Sequence, residues 1–223
     1  MIKVGNMRKL KKIALLGGTG NLGKGLAMRL AIAGYDVIVG SRKLEKAKEK
    51  AKNYSNEAGV QISAATNSDA AIESDIAIFT IPWEFAFETA RTLKSQLKNK
   101  IVVSPLVPMR KTNSFFTYLT LPEGSAAQKM ARILPESIII SAFHSIPAVK
   151  FADLSAEFDW DIPVCGDDEM AKREVINLIN SINGLRGLDA GPLSMSSAIE
   201  QLTPLILNIS LRNNQRNLGV KFL

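Results

Sequence analysis

Residues 13–43, IALLGGTGNLGKGLAMRLAIAGYDVIVGSRK, decide how the chain is read. Ile13 to Leu16 is a short unbroken apolar run, the pattern of a buried strand. It gives way to glycines, and from Asn21 to Ala33 the apolar residues Leu22, Leu26, Met28 and Leu30 return at helical spacing. Gly34 stands where a left-handed residue would end that helix, and Asp36 to Val39 reads as a second strand.

Gly18-Thr19-Gly20-Asn21-Leu22-Gly23 fits G-x-G-x-x-G, directly after a strand and at the opening of a helix. Glycines there allow a tight turn and let backbone approach a pyrophosphate, whose charge meets the free N–H groups and dipole of the helix start. A glycine turn needed only for packing would not require three glycines at this spacing. At the end of the second strand, an NAD site carries an Asp or Glu for the ribose hydroxyls. Here the chain reads GSRK instead. Arg42 can pair with a 2′-phosphate and lay its guanidinium plane on adenine, Ser41 can donate its hydroxyl, and Lys46, one turn on, adds a second charge. The cofactor expected is therefore NADP. Lys43 and Lys50 read as solvated helix residues.

Further apolar runs at Val60–Ala64, Asp75–Ile81, Lys100–Val103 and Ile138–Ala142 alternate with helical patterns at Lys43–Ala58 and Trp83–Leu97. This rhythm predicts an α/β fold with a doubly wound parallel sheet of the Rossmann type. After residue 150 it changes to a strand at Trp160–Cys165, a helix at Asp168–Ile182, a short strand at Leu185–Ala190 and an apolar helix at Met195–Leu211 containing Pro204. That helix is too apolar to face water all round, so it is expected to pack on the sheet or on a second subunit. The division expected is a basic extension over 1–11, a dinucleotide-binding domain over 12–150 and a smaller C-terminal domain over 151–223.

The 223 residues are 46% hydrophobic, yet no run reaches the roughly 18 apolar residues of a membrane span. No apolar segment of a secretory signal follows Met1 to Lys12, and Met7 is an alternative start that would leave the first six residues as a frayed extension. Cys165 is the only cysteine, so neither a disulfide framework nor a cysteine-based metal site is expected, and a reducing, cytoplasmic setting is. The net charge of +7 is scattered along helices without a zinc-finger or RNP-type motif, which argues against nucleic acid and leaves a small polyanion as ligand.

Candidate chemistry is narrowed by what is missing. The Tyr-x-x-x-Lys pair of short-chain dehydrogenases is absent, because Tyr35, Tyr54 and Tyr118 are followed four residues later by Val39, Ala58 and Pro122. Beyond residue 171 the only lysines are Lys172 and Lys221, neither on the long apolar helix where β-hydroxyacid dehydrogenases place theirs. The single histidine, His144, follows a predicted strand at the edge where open α/β sheets bind ligands, but it has no partners for nucleophilic catalysis. No residue is assigned as a protein acid or base.

The segments GGTGNLGKGLAMRLA, VGSRKLEKA, TIPWEFA, IVVSPLVP, AFHSIPA, DIPVCGDD, LDAGPLS, LTPLILNI and LGVKFL together resemble the archaeal NADPH-dependent reductases of coenzyme F420. The resemblance runs from Lys12 to Leu223, and the residues before Arg8 depart from it. It implies reversible hydride exchange between NADPH and an 8-hydroxy-5-deazaflavin, in which cofactor and substrate react directly and the protein supplies proximity. It further implies that Thr19, Gly20, Asn21 and Leu22 hold the pyrophosphate and that Ser41, Arg42 and Lys46 hold the 2′-phosphate. Ile81, Trp83, Val107 and Ala148 would wall the nicotinamide, His144, Ile146 and Pro147 would touch the deazaflavin, and the protein would be a homodimer. Two other readings stay open on the residues alone: an NADPH-dependent imine or carbonyl reductase of the pyrroline-carboxylate type, and an NADP(H)-sensing protein that does not turn over. Ferric reductases of the membrane type carry a similar nucleotide domain, but no membrane-spanning helices follow here.

Overall fold

The computed structural model describes residues 11–223, so the expected extension, Lys11 apart, and the choice of start lie outside the described residues. The chain begins β1 (Lys12–Leu16), α1 (Asn21–Ile32), β2 (Asp36–Ser41), α2 (Leu44–Ala58), β3 (Ser63–Thr66), α3 (Asn67–Glu73), β4 (Ile76–Phe79), α4 (Trp83–Thr92) and β5 (Ile101–Ser104). A hairpin of β6 (Met109–Lys111) and β7 (Phe116–Tyr118) follows, then α5 (Ala126–Ile133), β8 (Ile138–Ser141), α6 (Ala148–Phe151), β9 (Trp160–Gly166), α7 (Glu169–Asn180), β10 (Leu185–Asp189) and α8 (Ser196–Arg212).

Strands β3-β2-β1-β4-β5-β8 lie side by side in that order and all run parallel. The order reverses between β1 and β4, which opens a crevice at the carboxyl ends of those two strands. β9 joins β8 antiparallel, pairing Ile140 with Gly166 and Ser141 with Cys165, and β10 pairs parallel with β9. Residues after 150 thus continue the same sheet.

Alternation in β1 shows where the core sits. Ile13 and Leu15 enter one buried layer with Leu26, Ile78 and Phe151; Ala14 and Leu16 enter the other with Phe79, Leu97 and Met130. A strand buried on both faces reads as a continuous apolar run, as Ile13 to Leu16 does. Gly34, at φ +96°, closes α1 as expected, its N–H donating to the Ala31 carbonyl at 3.0 Å. Other helix starts are fixed by side chains: Thr66 caps α3, Ser125 caps α5 and Asp168 caps α7.

Two boundaries move from their predicted places. The strand expected at 60–64 lies at Ser63–Thr66, because α2 ends at left-handed Gly59 and residues 60–62 make the turn, with the Ile62 N–H held by Ser55 Oγ at 2.9 Å. The regular part of α4 ends at Thr92 instead of Leu97. The β6–β7 hairpin lies outside the main sheet. Among the described residues, no helix is long and apolar enough to cross a membrane.

Candidate functional site

The glycine loop joins β1 to α1 at the crevice. Gly17 adopts φ +76° and donates its N–H to Asn67 Oδ1 at 3.0 Å, while the Gly18 N–H reaches the carbonyls of Leu15 and Gly40, each at 3.0 Å. A Cβ on Gly23 would stand 2.5 Å from the Cα and carbonyl oxygen of Gly18, and one on Gly18 would stand 2.8 Å from Leu15 Cβ. Packing of helix on strand therefore fixes two of the three motif glycines. Gly20 is different: a Cβ there meets nothing within 4 Å. It is the residue that precedes α1, whose start has no side-chain cap and whose first turn has no acid. The first-turn N–H groups of α1 and the space in front of Gly20 together form a cradle for an anion.

Beside the loop, β2 ends in Ser41, buried, with its Oγ accepting the Lys43 N–H at 3.3 Å. Arg42 and Lys46 follow, both exposed. Glu45 of α2 pairs with Lys48, Glu49 with Lys50, and Glu57 with Lys24 of α1, which leaves Arg42 and Lys46 without a carboxylate partner among the described residues. A cavity of about 470 Å³ runs from Ser41 and Arg42 past Thr66, Asn67 and Ser68 to Phe85 and Glu88 of α4. Lys46 does not line it.

On the other side of the loop lies a cleft of about 510 Å³. Leu22 of α1, Ile81 and Trp83 after β4, Val107 after β5 and His144 after β8 line it, and Met109, Lys111 and Phe116 of the hairpin close it. The two regions meet at Gly17, where a Cβ would stand 2.5 Å from Ile81 Cγ1. Among the described residues, the only charged ones lining the cleft, Glu84 and Lys111, are both exposed. Ile146, Pro147 and Ala148 line an adjoining cavity of about 190 Å³, whose far wall is Ile206 and Leu207 of α8 with Asn217 and Leu218. His144 and Thr203 belong to both cavities, so Ala148 stands apart from Ile81, Trp83 and Val107.

His144 is held by a strained turn. Phe143 before it is 1% exposed and sits at φ +70°, a region that a bulky residue occupies only when its surroundings impose it. Nε2 of His144 lies 3.3 Å from Ser141 Oγ, and its carbonyl accepts the Thr203 hydroxyl at 2.9 Å. Burial pushes the ring's pKa down to about 3, against a smaller opposing effect of the Ser104 backbone. The imidazole is therefore neutral near pH 7, with one donor and one acceptor nitrogen. Its Nδ1 is buried without a hydrogen-bond partner, as is Ser104 Oγ at the end of β5. His144 lines the cleft, so a ligand or ordered water there would complete the bonding of its ring.

Two other buried groups lie elsewhere. Glu200 of α8 accepts hydrogen bonds from Tyr118 Oη at 2.7 Å and from the Ala126 and Ala127 N–H groups at 3.0 and 3.1 Å, which ties α8 to the start of α5. Burial pushes the Cys165 thiol up to about 11, and it lines neither cavity.

Comparison with known proteins decides the family. The profile described as "NADP oxidoreductase coenzyme F420-dependent" matches residues 12–108. A protein of Methanocaldococcus jannaschii named F420-dependent NADP reductase is 41% identical over 94% of this chain and 97% of its own length. The chain belongs to the F420-dependent NADP reductase family. A second member, from Methanothermobacter thermautotrophicus, is 37% identical over 99% of this chain and 97% of its own length. A solved structure from Arthrobacter sp. FB24, provisionally assigned as an F420-dependent NADP reductase, has the same fold at a TM-score of 0.81, with 21% identity over 96% of this chain and 99% of that one. The family profile ends at Pro108, just past the Rossmann strands up to β5, whereas the similarity to full-length F420-dependent NADP reductases carries on through the hairpin, the His144 turn and α8.

Sequence reasoning missed Asn67, Thr203 and the hairpin residues Met109, Lys111 and Phe116. Asn67 and Thr203 act on backbone 50 and 59 positions away, so no local pattern marks them.

Proposed function

We propose that the protein transfers hydride reversibly between NADPH and the 8-hydroxy-5-deazaflavin ring of coenzyme F420. The observation that carries this reading is the pairing of an anion cradle at Gly20 with a cleft whose only histidine is buried and neutral. Hydride exchange between two rings needs the first to hold a cofactor and does not need the second to supply an acid.

In this reading Gly18, Thr19, Gly20, Asn21, Leu22 and Gly23 receive the pyrophosphate, and Ser41, Arg42 and Lys46 receive the 2′-phosphate. Ile81, Trp83 and Val107 exclude water from the nicotinamide, while His144, Ile146 and Pro147, with Ala148 beside them, orient the deazaflavin. NADPH supplies a hydride at C4 when bound; the chain's own task is to hold two planar rings face to face. The neutral His144 offers a hydrogen bond to a ring substituent, and the proton that accompanies the hydride is left to solvent.

Residues 12–150 bind the dinucleotide, and residues 151–223 complete the deazaflavin side. The enzyme works in the cytoplasm, and it works as a homodimer, the latter supported by the exposed Leu205 and Ile209, one turn apart on α8. Mixing the purified protein with NADPH and the deazaflavin tests the proposal: the deazaflavin's visible absorbance should be lost, and NADH should be a poor substitute. Reduction of a cyclic imine with no reaction of the deazaflavin would overturn it.

A further inference from the structure

LTPLILNI, residues 202–209, reads from sequence as packing, yet two of its polar side chains reach the walls of the cleft. Asn208 Oδ1 accepts the Phe116 N–H at 2.7 Å and Asn208 Nδ2 donates to the Phe116 carbonyl at 2.8 Å. One side-chain amide thus takes both ladder bonds that a neighbouring strand would take from β7. A second tie lies two residues on, where Tyr118 Oη donates to Glu200 at 2.7 Å. Between these anchors on α8, Thr203 holds the His144 carbonyl at 2.9 Å.

The hairpin needs these ties. Its strands are three residues each, they pair only with each other, and a lone two-stranded ribbon is marginal in water. Lys111 pairs with Phe116 across it, and both residues line the cleft that His144 also lines. One helix therefore sets both walls.

We propose that Asn208 is a positioning residue for hydride transfer, fixing the β6–β7 hairpin against α8 and so setting the width of the cleft in which the second ring lies. This inference rests on the function proposed above. A wall displaced by a fraction of an ångström leaves reacting carbons outside attack distance, and such misplacement costs rate even when both ligands still bind. The dinucleotide cradle is built by other elements, so its affinity should not respond.

The test uses the full-length protein with Asn208→Ala, which removes both bonds, and Asn208→Asp, which keeps the acceptor and loses the donor. Amide hydrogen exchange at Phe116 is read without any ligand, and should quicken about tenfold in Asn208→Ala, on the order of one net hydrogen bond. The single-turnover rate of deazaflavin reduction should fall by about ten- to a hundredfold in Asn208→Ala and by at least as much in Asn208→Asp, whose second carboxylate oxygen faces the Phe116 carbonyl, with NADPH affinity within twofold of the parent. Faster exchange with an unchanged transfer rate would reduce Asn208 to a structural role and overturn the proposal; unchanged exchange would overturn the clamp itself. Failure of the parent protein to reduce the deazaflavin would instead refute the functional reading, and the exchange result would stand independently of it.

Discussion

The dinucleotide end of the site and the His144 end differ in the range of the contacts that build them. At the first, the residues proposed to hold the cofactor's phosphates, Gly18 to Lys46, come from the continuous run β1-α1-β2-α2, and Asn67 pins the loop from outside. At the second, the walls come from the ends of β4, β5 and β8, from the hairpin and from α8, and they are held by bonds spanning 59 to 92 residues. The first end is charged, exposed and built on backbone N–H groups. The second is mostly apolar, and its one histidine is kept neutral. A charged ligand can be gripped by a local motif, whereas the two rings of the proposed reaction would have to be held face to face by several segments, as the walls of the second end are.

Substitutions at two glycines of the motif, Gly23 and Gly20, probe the first end most severely. In Gly23→Ala the added carbon meets backbone atoms of Gly18 at 2.5 Å, so neither partner can yield without moving α1. Overpacking of this kind should cost about 3 kcal/mol, read as a lower melting temperature. Gly20→Ala has nothing to strike, and its φ of −95° suits alanine, so the melting temperature should hold while NADPH affinity falls. Equal loss of stability in both would erase the distinction between a packing glycine and a ligand glycine.

Arg42→Ala comes next. Loss of a charge-assisted contact is worth about 1.5 to 3 kcal/mol, or about one to two powers of ten in affinity. NADP(H) binding should weaken by that factor and NAD(H) binding should barely change, as measured by titration; equal weakening of both would remove Arg42 from the 2′-phosphate.

His144 gives an effect that is absent at neutral pH and grows on acidification, with a defined sign. Its folded pKa of about 3 lies below the ordinary histidine value of 6.5, so only the unfolded chain takes up the proton in between. Stability from the neutral ring is present above about pH 6.5 and is lost as pH falls towards about 3, at up to about 1.4 kcal/mol per pH unit. Denaturant melts of the parent and of His144→Asn should diverge in that window and run parallel above it. Parallel curves throughout would mean that the ring titrates normally.

Lys111→Met should do least. The ammonium is exposed, and such contacts contribute about 0.2 to 1 kcal/mol, so KM for the anionic deazaflavin should rise only a few-fold and the rise should shrink in high salt.

How much could be read beforehand follows the same division. Five of the six parallel strands were readable because a strand buried on both faces leaves an unbroken apolar run, and α1 because Gly34 marks its end; β3, a partly exposed edge strand, was expected three residues early. The glycine loop before α1 and the exposed Arg42 and Lys46 beside it were readable because glycine spacing and the GSRK turn are local features. The hairpin was not, since three-residue strands at Met109 and Phe116 are too short to show alternation. Ala148 was expected beside Ile81, Trp83 and Val107 but lies on the far side of His144, because the turn at Phe143 sends the chain into the adjoining cavity. Thr203 and Asn208 gave no signal in an apolar helix, as their partners are distant backbone groups.

The central claim is that two rings react directly in a cleft shared by both ligands. Deuterium placed on the transferred face of NADPH C4 tests it, with the reduced deazaflavin analysed after a single turnover in ordinary water. The account predicts quantitative transfer of label to the deazaflavin carbon, together with initial-rate kinetics of a ternary complex. Label lost to solvent, or a reduced enzyme form carrying electrons between two separate half-reactions, would contradict it.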